Sequence, residues 1–233
     1  MNQYRPGFQF SFFPPVIKNL LIINVLVYLA EVVALQTGAV QLAVILNAMA
    51  LYPPGSGEIG QSIFGASGVE IPGFWPWQMV TYSFLHSIHS ISHLLFNMFA
   101  LWMFGMQLEN TWGSRRFAVY YFVCVVGAAI VQMVWMYGSN SPTLGASGGV
   151  FGVLLAFGMM FPNQEILLFP IPIPIKAKYF VAGYGLLELY SGVTNTMDGI
   201  AHFAHLGGML FGLVLLLFWM EKLPFKPGRP LHR

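Results

Sequence analysis

Charged residues are scarce in this sequence. Asp, Glu, Lys and Arg make up 8% of the 233 residues, whereas soluble domains average about 25%. So few charges could not cover the surface of a soluble fold of this size, which excludes an ordinary soluble protein. Hydrophobic residues make up 57% of the chain, and its mean hydropathy is +0.68. The composition therefore predicts an integral membrane protein that lies in the lipid bilayer.

Cysteine and net charge are also low. Cys124 is the only cysteine, which excludes an intrachain disulfide, and its apolar surroundings favour a buried thiol. The formal net charge of +2 gives no indication of a nucleic-acid partner. No cleavable signal peptide is evident, because the first fifteen residues are aromatic and contain proline.

Long apolar stretches recur along the chain, each close to the about 20 residues that a bilayer-spanning helix needs. The predicted spans are residues 16–36, 88–108, 117–137, 144–161, 179–193 and 200–220. They predict an all-α polytopic bundle with a six-span core over 16–220, a long first loop over about 37–85, and tails at 1–15 and 221–233. A short amphipathic or re-entrant helix is expected at 40–51, and a rigid proline-rich connector at 170–174.

The basic residues test this topology. With six spans, all ten lie on one side of the membrane: Arg5, Lys18, Arg115, Arg116, Lys176, Lys178, Lys222, Lys226, Arg229 and Arg233. Loops rich in Lys and Arg stay in the cytoplasm. We therefore expect both termini to be cytoplasmic.

Four polar residues share one layer of the predicted bundle. Ser147, His205, His93 and Asn97 lie three to nine residues from the outer ends of their predicted spans. At about 1.5 Å of rise per residue, all four are within roughly 15 Å of the outer surface. Polar groups at membrane depth are costly and face the bundle interior or a water-filled cavity. The coincidence predicts a functional site.

These residue types suit acyl transfer. A serine hydroxyl is a weak nucleophile until a base removes its proton, and histidine is the side chain suited to that task near neutral pH. Ser147 is the candidate nucleophile and His205 the candidate base. His93 and Asn97 share a helix face and can donate hydrogen bonds to an oxyanion, with the backbone N–H of Ser147 as a further donor. No carboxylate is expected at this depth on the active face, so a Ser–His dyad is predicted.

Small residues are predicted to support the site. Gly145 and the glycines after it line span four, and Gly208 and Gly212 form a Gly-x-x-x-Gly on span six. Small faces let membrane helices approach closely, which would bring His205 to Ser147. Phe151, four residues after Ser147, is expected to place its ring beneath the catalytic layer.

Four motifs together resemble the rhomboid family of intramembrane serine proteases. They are Gly-Ala-Ser-Gly at 145–148, His-x-x-x-Asn at 93–97, Ala-His-x-x-Gly-x-x-x-Gly at 204–212, and the turn Glu-Asn-Thr-Trp-Gly-Ser-Arg-Arg-Phe at 109–117. The sequence departs from the family in two places. Gln78 follows Trp77 where members often carry arginine, and six residues separate His86 from His93 where many members have four.

The resemblance implies an activity and its partners. It implies a protease that cleaves single-span or polytopic membrane proteins in or near their transmembrane segments, close to the outer face. It assigns nucleophile and base to Ser147 and His205 and oxyanion stabilisation to His93 and Asn97. It also implies lateral substrate entry past span five, no cofactor, and a form most like those of the bacterial inner membrane.

Other functions stay open at this stage. A metal enzyme would use the outer histidines, namely His86, His89, His93, His202 and His205. Against a metal, no cysteine or nearby carboxylate completes a ligand set, and His-Glu-x-x-His is absent. Glu31 and Glu188 lie within spans, where carboxylates can mark a proton or ion path, so a transporter function stays open. Hydrogen bonding of each to a neighbouring helix is favoured. A non-proteolytic relative that binds membrane helices is the other alternative. A second Gly-Ala-Ser-Gly, at 65–68, is predicted to be a flexible turn.

Overall fold

The computed structural model describes residues 10–168, 171–194, 201–224 and 231. Much of the two predicted tails, 1–15 and 221–233, lies outside these residues, as do Pro170 of the predicted connector and Ile200 at the predicted start of span six. Four of the basic residues used for the topology also lie outside them: Arg5, Lys226, Arg229 and Arg233.

The described residues form a mostly helical bundle, as predicted. The helices are α1 Pro15–Thr37, α2 Val40–Met49, α3 Gln78–Thr81, α4 Ile91–Trp112, α5 Ser114–Trp135, α6 Ser147–Met160, α7 Ala177–Thr194 and α8 His202–Trp219. A 3-10 helix, Tyr82–Phe84, follows α3. Within this part of the chain α1, α4, α5 and α8 are long and apolar enough to cross a membrane, and α6 is a shorter apolar helix of 14 residues. The remaining helix of the six-helix bundle, α7, has 18 residues.

Proline, glycine and one carboxylate set the ends of α1. The helix begins at Pro15, where a missing N–H and a fixed φ are tolerated. It ends before Gly38, whose φ of 65° is the left-handed conformation of many helix C-termini. Glu109, near the end of α4, accepts hydrogen bonds from the N–H groups of Val16 and Ile17, each at 2.9 Å. These N–H groups have no partner within α1, so Glu109 joins α1 to α4.

Two short antiparallel hairpins lie outside the bundle. In the first loop β1, Ile59–Gln61, pairs with β2, Ser67–Glu70, so the second Gly-Ala-Ser-Gly forms the turn and the start of β2, as a turn was predicted there. Between α6 and α7, β3, Glu165–Leu168, pairs with β4, Ile171–Lys176. The proline-rich connector is therefore the second strand of a hairpin, a position that tolerates proline because its outer edge is unpaired.

Glycines bring α6 and α8 into close contact. A Cβ added at Gly208 would overlap the backbone carbonyl of Gly148, and one at Gly152 would lie 3.0 Å from the carbonyl oxygen of Gly208. Helices approach this closely only where side chains are absent. The predicted close packing of these two helices is confirmed, and it positions the residues at their outer ends.

Candidate active site

Ser147 is the first residue of α6, not three residues inside it as predicted. The preceding Gly145 has a φ of 124°, which residues with a side chain rarely adopt, and its N–H donates to the carbonyl of Tyr82 at 3.0 Å. Because of this turn, the helix begins at Ser147 and not at residue 144. The first intrahelical bond of α6 runs from the N–H of Val150 to the carbonyl of Ala146. The N–H groups before Val150, including that of Ser147, therefore have no helical acceptor and suit an anion.

The side chains of Ser147 and His205 are in contact. The Oγ of Ser147 lies 2.8 Å from Nε2 of His205, a hydrogen-bond distance. His205 is the fourth residue of α8 and is buried. Both residues are thus nearer their helix ends than predicted, but they lie at the same depth, and the hydrogen bond expected between them is present.

Phe151 lies under this pair. Its ring stacks on the imidazole of His205 with centroids 4.2 Å apart and planes 8° from parallel. Phe151 is one helical turn after Ser147, so one face of α6 presents both the hydroxyl and the aromatic platform. The predicted location of this ring is confirmed, and the stacking restricts the orientation of the imidazole.

His93 presents a proton donor near the serine. The N–H of Ser87 donates to Nδ1 of His93 at 3.2 Å, so a neutral His93 carries its proton on Nε2. A Cβ placed on Gly145 would lie 3.1 Å from Nε2 of His93 and 3.6 Å from Oγ of Ser147. A side chain at 145 would therefore crowd the imidazole of His93, and glycine avoids this contact.

Asn97 lies one turn below His93 on α4 and is buried. Its Nδ2 donates to the carbonyl of His93 at 2.7 Å. A side-chain amide has two N–H donors, so this bond leaves one of them for another acceptor. The arrangement is compatible with the oxyanion role predicted for both residues.

Glu188 is hydrogen-bonded to a neighbouring helix, as expected, and it also lies beside the catalytic pair, which was not expected. Its Oε2 lies 2.8 Å from Nδ1 of His205 and 2.6 Å from Nδ1 of His202, and all three side chains are buried. The expectation that no carboxylate lies at this depth was wrong. The sequence does place Glu188 near the outer end of its span, because it is six residues before the end of α7 at Thr194. The sequence did not show which face of α7 packs against α8.

The predicted cluster of outer histidines is not assembled as one metal site. His86 bonds to Asn24, and His89 lies beside Gly65 in the first loop. Among the described residues, the set with metal-ligating geometry is instead Glu188, His202 and His205, whose ligand atoms all lie within 4.8 Å of one another. The argument that no carboxylate is near the histidines was therefore also wrong.

His86 and Glu31 support the site from behind. The carboxylate oxygens of Glu31 accept from the N–H of His86 at 3.1 and 3.3 Å, and Nε2 of His86 lies 2.9 Å from Oδ1 of Asn24. The ring edge of His86 contacts His93, with centroids 5.2 Å apart. Burial lowers the pKa of His86 to about 3, with a smaller contribution from His93. His86 is thus a neutral group that holds the position of His93.

Comparison with known proteins identifies the family of the chain. Residues 74–222 match the family model of the Rhomboid domain. The chain is 33% identical over 127 residues to Rhomboid protein 1, mitochondrial, of Saccharomyces cerevisiae, covering 52% of this chain and 36% of the yeast protein. It is 25% identical to Rhomboid protease AarA of Providencia stuartii, and the match covers 72% of this chain and 65% of the Providencia protein. It is 31% identical to Rhomboid protease GluP of Bacillus subtilis, and the match covers 60% of this chain and 25% of the Bacillus protein. The chain thus spans less than two thirds of each relative.

Proposed function

This chain belongs to the rhomboid family, and we propose that it is an intramembrane serine endopeptidase with Ser147 as nucleophile and His205 as general base. The observation that carries the proposal is the 2.8 Å contact between Oγ of Ser147 and Nε2 of His205 inside a helical bundle. A serine hydroxyl beside an imidazole nitrogen is activated for attack on a carbonyl. A serine and histidine used only for packing would not require this pairing.

The reaction follows from the positions of the donors. Nε2 of His205 takes the proton of Ser147 as Oγ attacks the scissile carbonyl, and an oxyanion forms. The Nε2–H of His93, the free N–H of Asn97 and the backbone N–H of Ser147 stabilise that charge. His205 then gives its proton to the leaving amine. Water hydrolyses the acyl-enzyme with His205 again as the base.

We propose that the substrates are membrane proteins that reach Ser147 from the bilayer. Apolar side chains of α7 are exposed, among them Leu186, Tyr190 and Val193, which suits contact with lipid or with a substrate helix. Lateral entry past α7, which the family resemblance implies, uses this face. The relatives AarA and GluP are named as proteases, which supports proteolysis over helix binding alone.

We also propose that the chain lies in a bacterial inner membrane with both termini in the cytoplasm, although its relatives include mitochondrial proteins. The proposed orientation rests on the positions of the basic residues. Cysteine labelling tests the orientation, since the native Cys124 is fully buried. Glu58→Cys in the first loop should react with an impermeant maleimide on intact cells, whereas Gln164→Cys should react only after permeabilisation. The reverse pattern would invert the topology.

Proteolysis is tested with purified protein in liposomes and a single-span substrate. Wild type should cleave, and Ser147→Ala should not. The matched control is Ser67→Ala, because Ser67 lies in the second Gly-Ala-Ser-Gly, in the first-loop hairpin, and its loss should leave cleavage unchanged. Cleavage by Ser147→Ala at the wild-type rate would end the proposal.

A serine-reactive phosphonate separates a protease from a non-proteolytic helix binder. It should label wild type and Ser67→Ala, and it should not label Ser147→Ala or His205→Ala. A protein that binds membrane helices but resists the phosphonate would be the non-proteolytic relative.

A further inference from the structure

We propose that Glu188 is a positioning residue that makes the Ser147–His205 pair a hydrogen-bonded relay of three groups, with His202 holding the carboxylate. The proposal rests on the proposed protease function and deepens it. It starts from Oε2 of Glu188, which lies 2.8 Å from Nδ1 of His205 on the side of the imidazole opposite Ser147. No role for this carboxylate follows from the four motifs, since α7 carries none of them.

The contact fixes the tautomer of His205. A carboxylate only accepts hydrogen bonds, so Nδ1 of His205 carries the proton and Nε2 presents a lone pair. That lone pair faces the Oγ of Ser147, which is the arrangement a general base needs. Without an acceptor at Nδ1, the proton is free to occupy Nε2, and the imidazole then cannot receive the serine proton. Glu188 therefore selects the productive form.

The carboxylate also stabilises the charge that catalysis creates. When His205 takes the serine proton at Nε2 it becomes an imidazolium, with Nδ1–H still donated to Glu188. A negative charge 2.8 Å away in a buried setting favours this state. Glu188 keeps its own charge throughout, and no proton passes to it. The role is thus orientation and charge stabilisation.

His202 is the second partner of the carboxylate. Its Nδ1 lies 2.6 Å from the same Oε2, one helical turn before His205 on α8. Both lone pairs of Oε2 then accept hydrogen bonds, which restricts rotation of the carboxylate. These two bonds replace those that water would make to the buried oxygen. Nε2 of His202 is buried and has no hydrogen-bond partner among the described residues. A neutral His202 with its single proton on Nδ1 satisfies this geometry better than an imidazolium, whose second N–H would be buried without an acceptor.

The test is cleavage kinetics of Glu188→Gln in liposomes. Glutamine has the same shape but no charge, and its amide can donate to Nδ1 and stabilise the wrong tautomer. We expect kcat to fall about 10²- to 10⁴-fold, with KM within about threefold because no substrate contact is lost. Glu188→Asp keeps the charge and should recover part of the rate.

The pH profile separates positioning from packing. Without the carboxylate the imidazolium that forms during the reaction is less stable, so the acid limb of kcat in Glu188→Gln should move to lower pH. The titratable groups that face this relay are His202 and His205 from α8, Tyr184 one turn away on α7, and His93 from α4. Each is retained in the variant, so the shift reports Glu188. An unmoved limb would overturn the proposal.

The matched control is Glu31→Gln, which removes another buried carboxylate of a spanning helix. Its oxygen can still accept from the N–H of His86, and Glu31 does not touch His205. The acid limb of this variant should match wild type. His202→Leu removes one hydrogen bond to Glu188 and should lower kcat, whereas His202→Gln keeps an N–H donor and should lower it less. Equal rates in wild type, Glu188→Gln and His202→Leu would exclude the relay.

Failure of the protease function and failure of the relay give different results. If wild type neither cleaves substrate nor reacts with the phosphonate, the protease function itself fails. If wild type cleaves and Glu188→Gln cleaves equally well, only the relay fails. Loss of wild-type activity in EDTA with recovery in Zn²⁺ would also overturn it, because Glu188, His202 and His205 would then be metal ligands. Activity unaffected by EDTA supports hydrogen bonding.

Discussion

The imidazole of His205 lies flat on the ring of Phe151, with centroids 4.2 Å apart and planes 8° from parallel. One edge of the imidazole contacts Ser147 and the other contacts Glu188. The two edge contacts fix the imidazole within its plane, and Phe151 fixes the plane itself.

Phe151→Leu should therefore impair catalysis more than substrate binding. Leucine fills much of the space but has no flat face, so the imidazole can tilt away from Ser147. We expect kcat to fall about 10- to 100-fold, because small misplacements of a catalytic group carry such costs, while KM changes little. Steady-state cleavage in liposomes measures both. Phe151→Tyr is the control, since it retains the ring, and its kcat should stay near wild type.

Loss of the donor on His93 should slow the chemical step. Removing one oxyanion donor typically costs about 10² to 10³ in kcat, and His93→Ala removes the Nε2–H that lies, like Ser147, beside Gly145. His89→Ala is the control, because His89 lies beside Gly65 in the first loop. Single-turnover cleavage is the measurement. A rate for His93→Ala equal to that of His89→Ala would assign oxyanion stabilisation to other donors.

Gly208→Ala should destabilise the bundle. The new methyl would overlap the carbonyl of Gly148, and no side-chain rotation relieves a clash with backbone. We expect a loss of about 1–3 kcal/mol in the free energy of unfolding together with lost activity, because α8 carries His205. Gly183→Ala on α7 is the control, since nothing lies within 4 Å of its added Cβ. Its stability should stay equal or rise by up to about 1 kcal/mol. Thermal unfolding in detergent compares the two variants.

His86 should make the folded state sensitive to acid. Its pKa is about 3 in the folded protein and about 6.5 in an unfolded chain. The unfolded chain then binds the extra proton between these values, so stability falls as pH drops from about 6.5 towards 3, by at most about 1.4 kcal/mol per pH unit. His86→Gln keeps a donor for Asn24 and does not titrate. Its unfolding temperature should depend less on pH than that of wild type over this window, and identical curves would contradict the assignment.

Most of the fold was predictable because apolar length depends on local sequence. The six predicted stretches correspond to α1, α4, α5, α6, α7 and α8, with bounds displaced by up to four residues. The largest displacement is at the end of span two, which was predicted at residue 108 and lies at residue 112. The largest consequence of a displaced bound is at Ser147, where the turn at Gly145 places the serine at the helix start. That turn depends on the φ of one glycine, which hydropathy does not report.

The contact between Ser147 and His205 was also foreseeable, because each residue lies in a motif and the two share a depth. Glu188 shares that depth too, but its contact with His205 was not predicted, because Glu188 stands alone in an apolar helix with no motif around it. Its partners, His202 and His205, lie on another helix and are at least fourteen residues away in sequence. Rotation of α7 about its own axis decides whether such a side chain faces lipid or the imidazole.

The sequence by itself therefore determined that the chain is a membrane-embedded helical bundle, and that a serine, two histidines and an asparagine share one layer. Hydropathy, basic-residue distribution and spacing are properties of the chain read in order, so they settle length, depth and shared helix faces. Only the tertiary structure decided which ring nitrogens carry protons, because those protons depend on the N–H of Ser87 beside His93 and on the carboxylate of Glu188 beside His205. Both contacts join separate elements, and packing alone sets their distances.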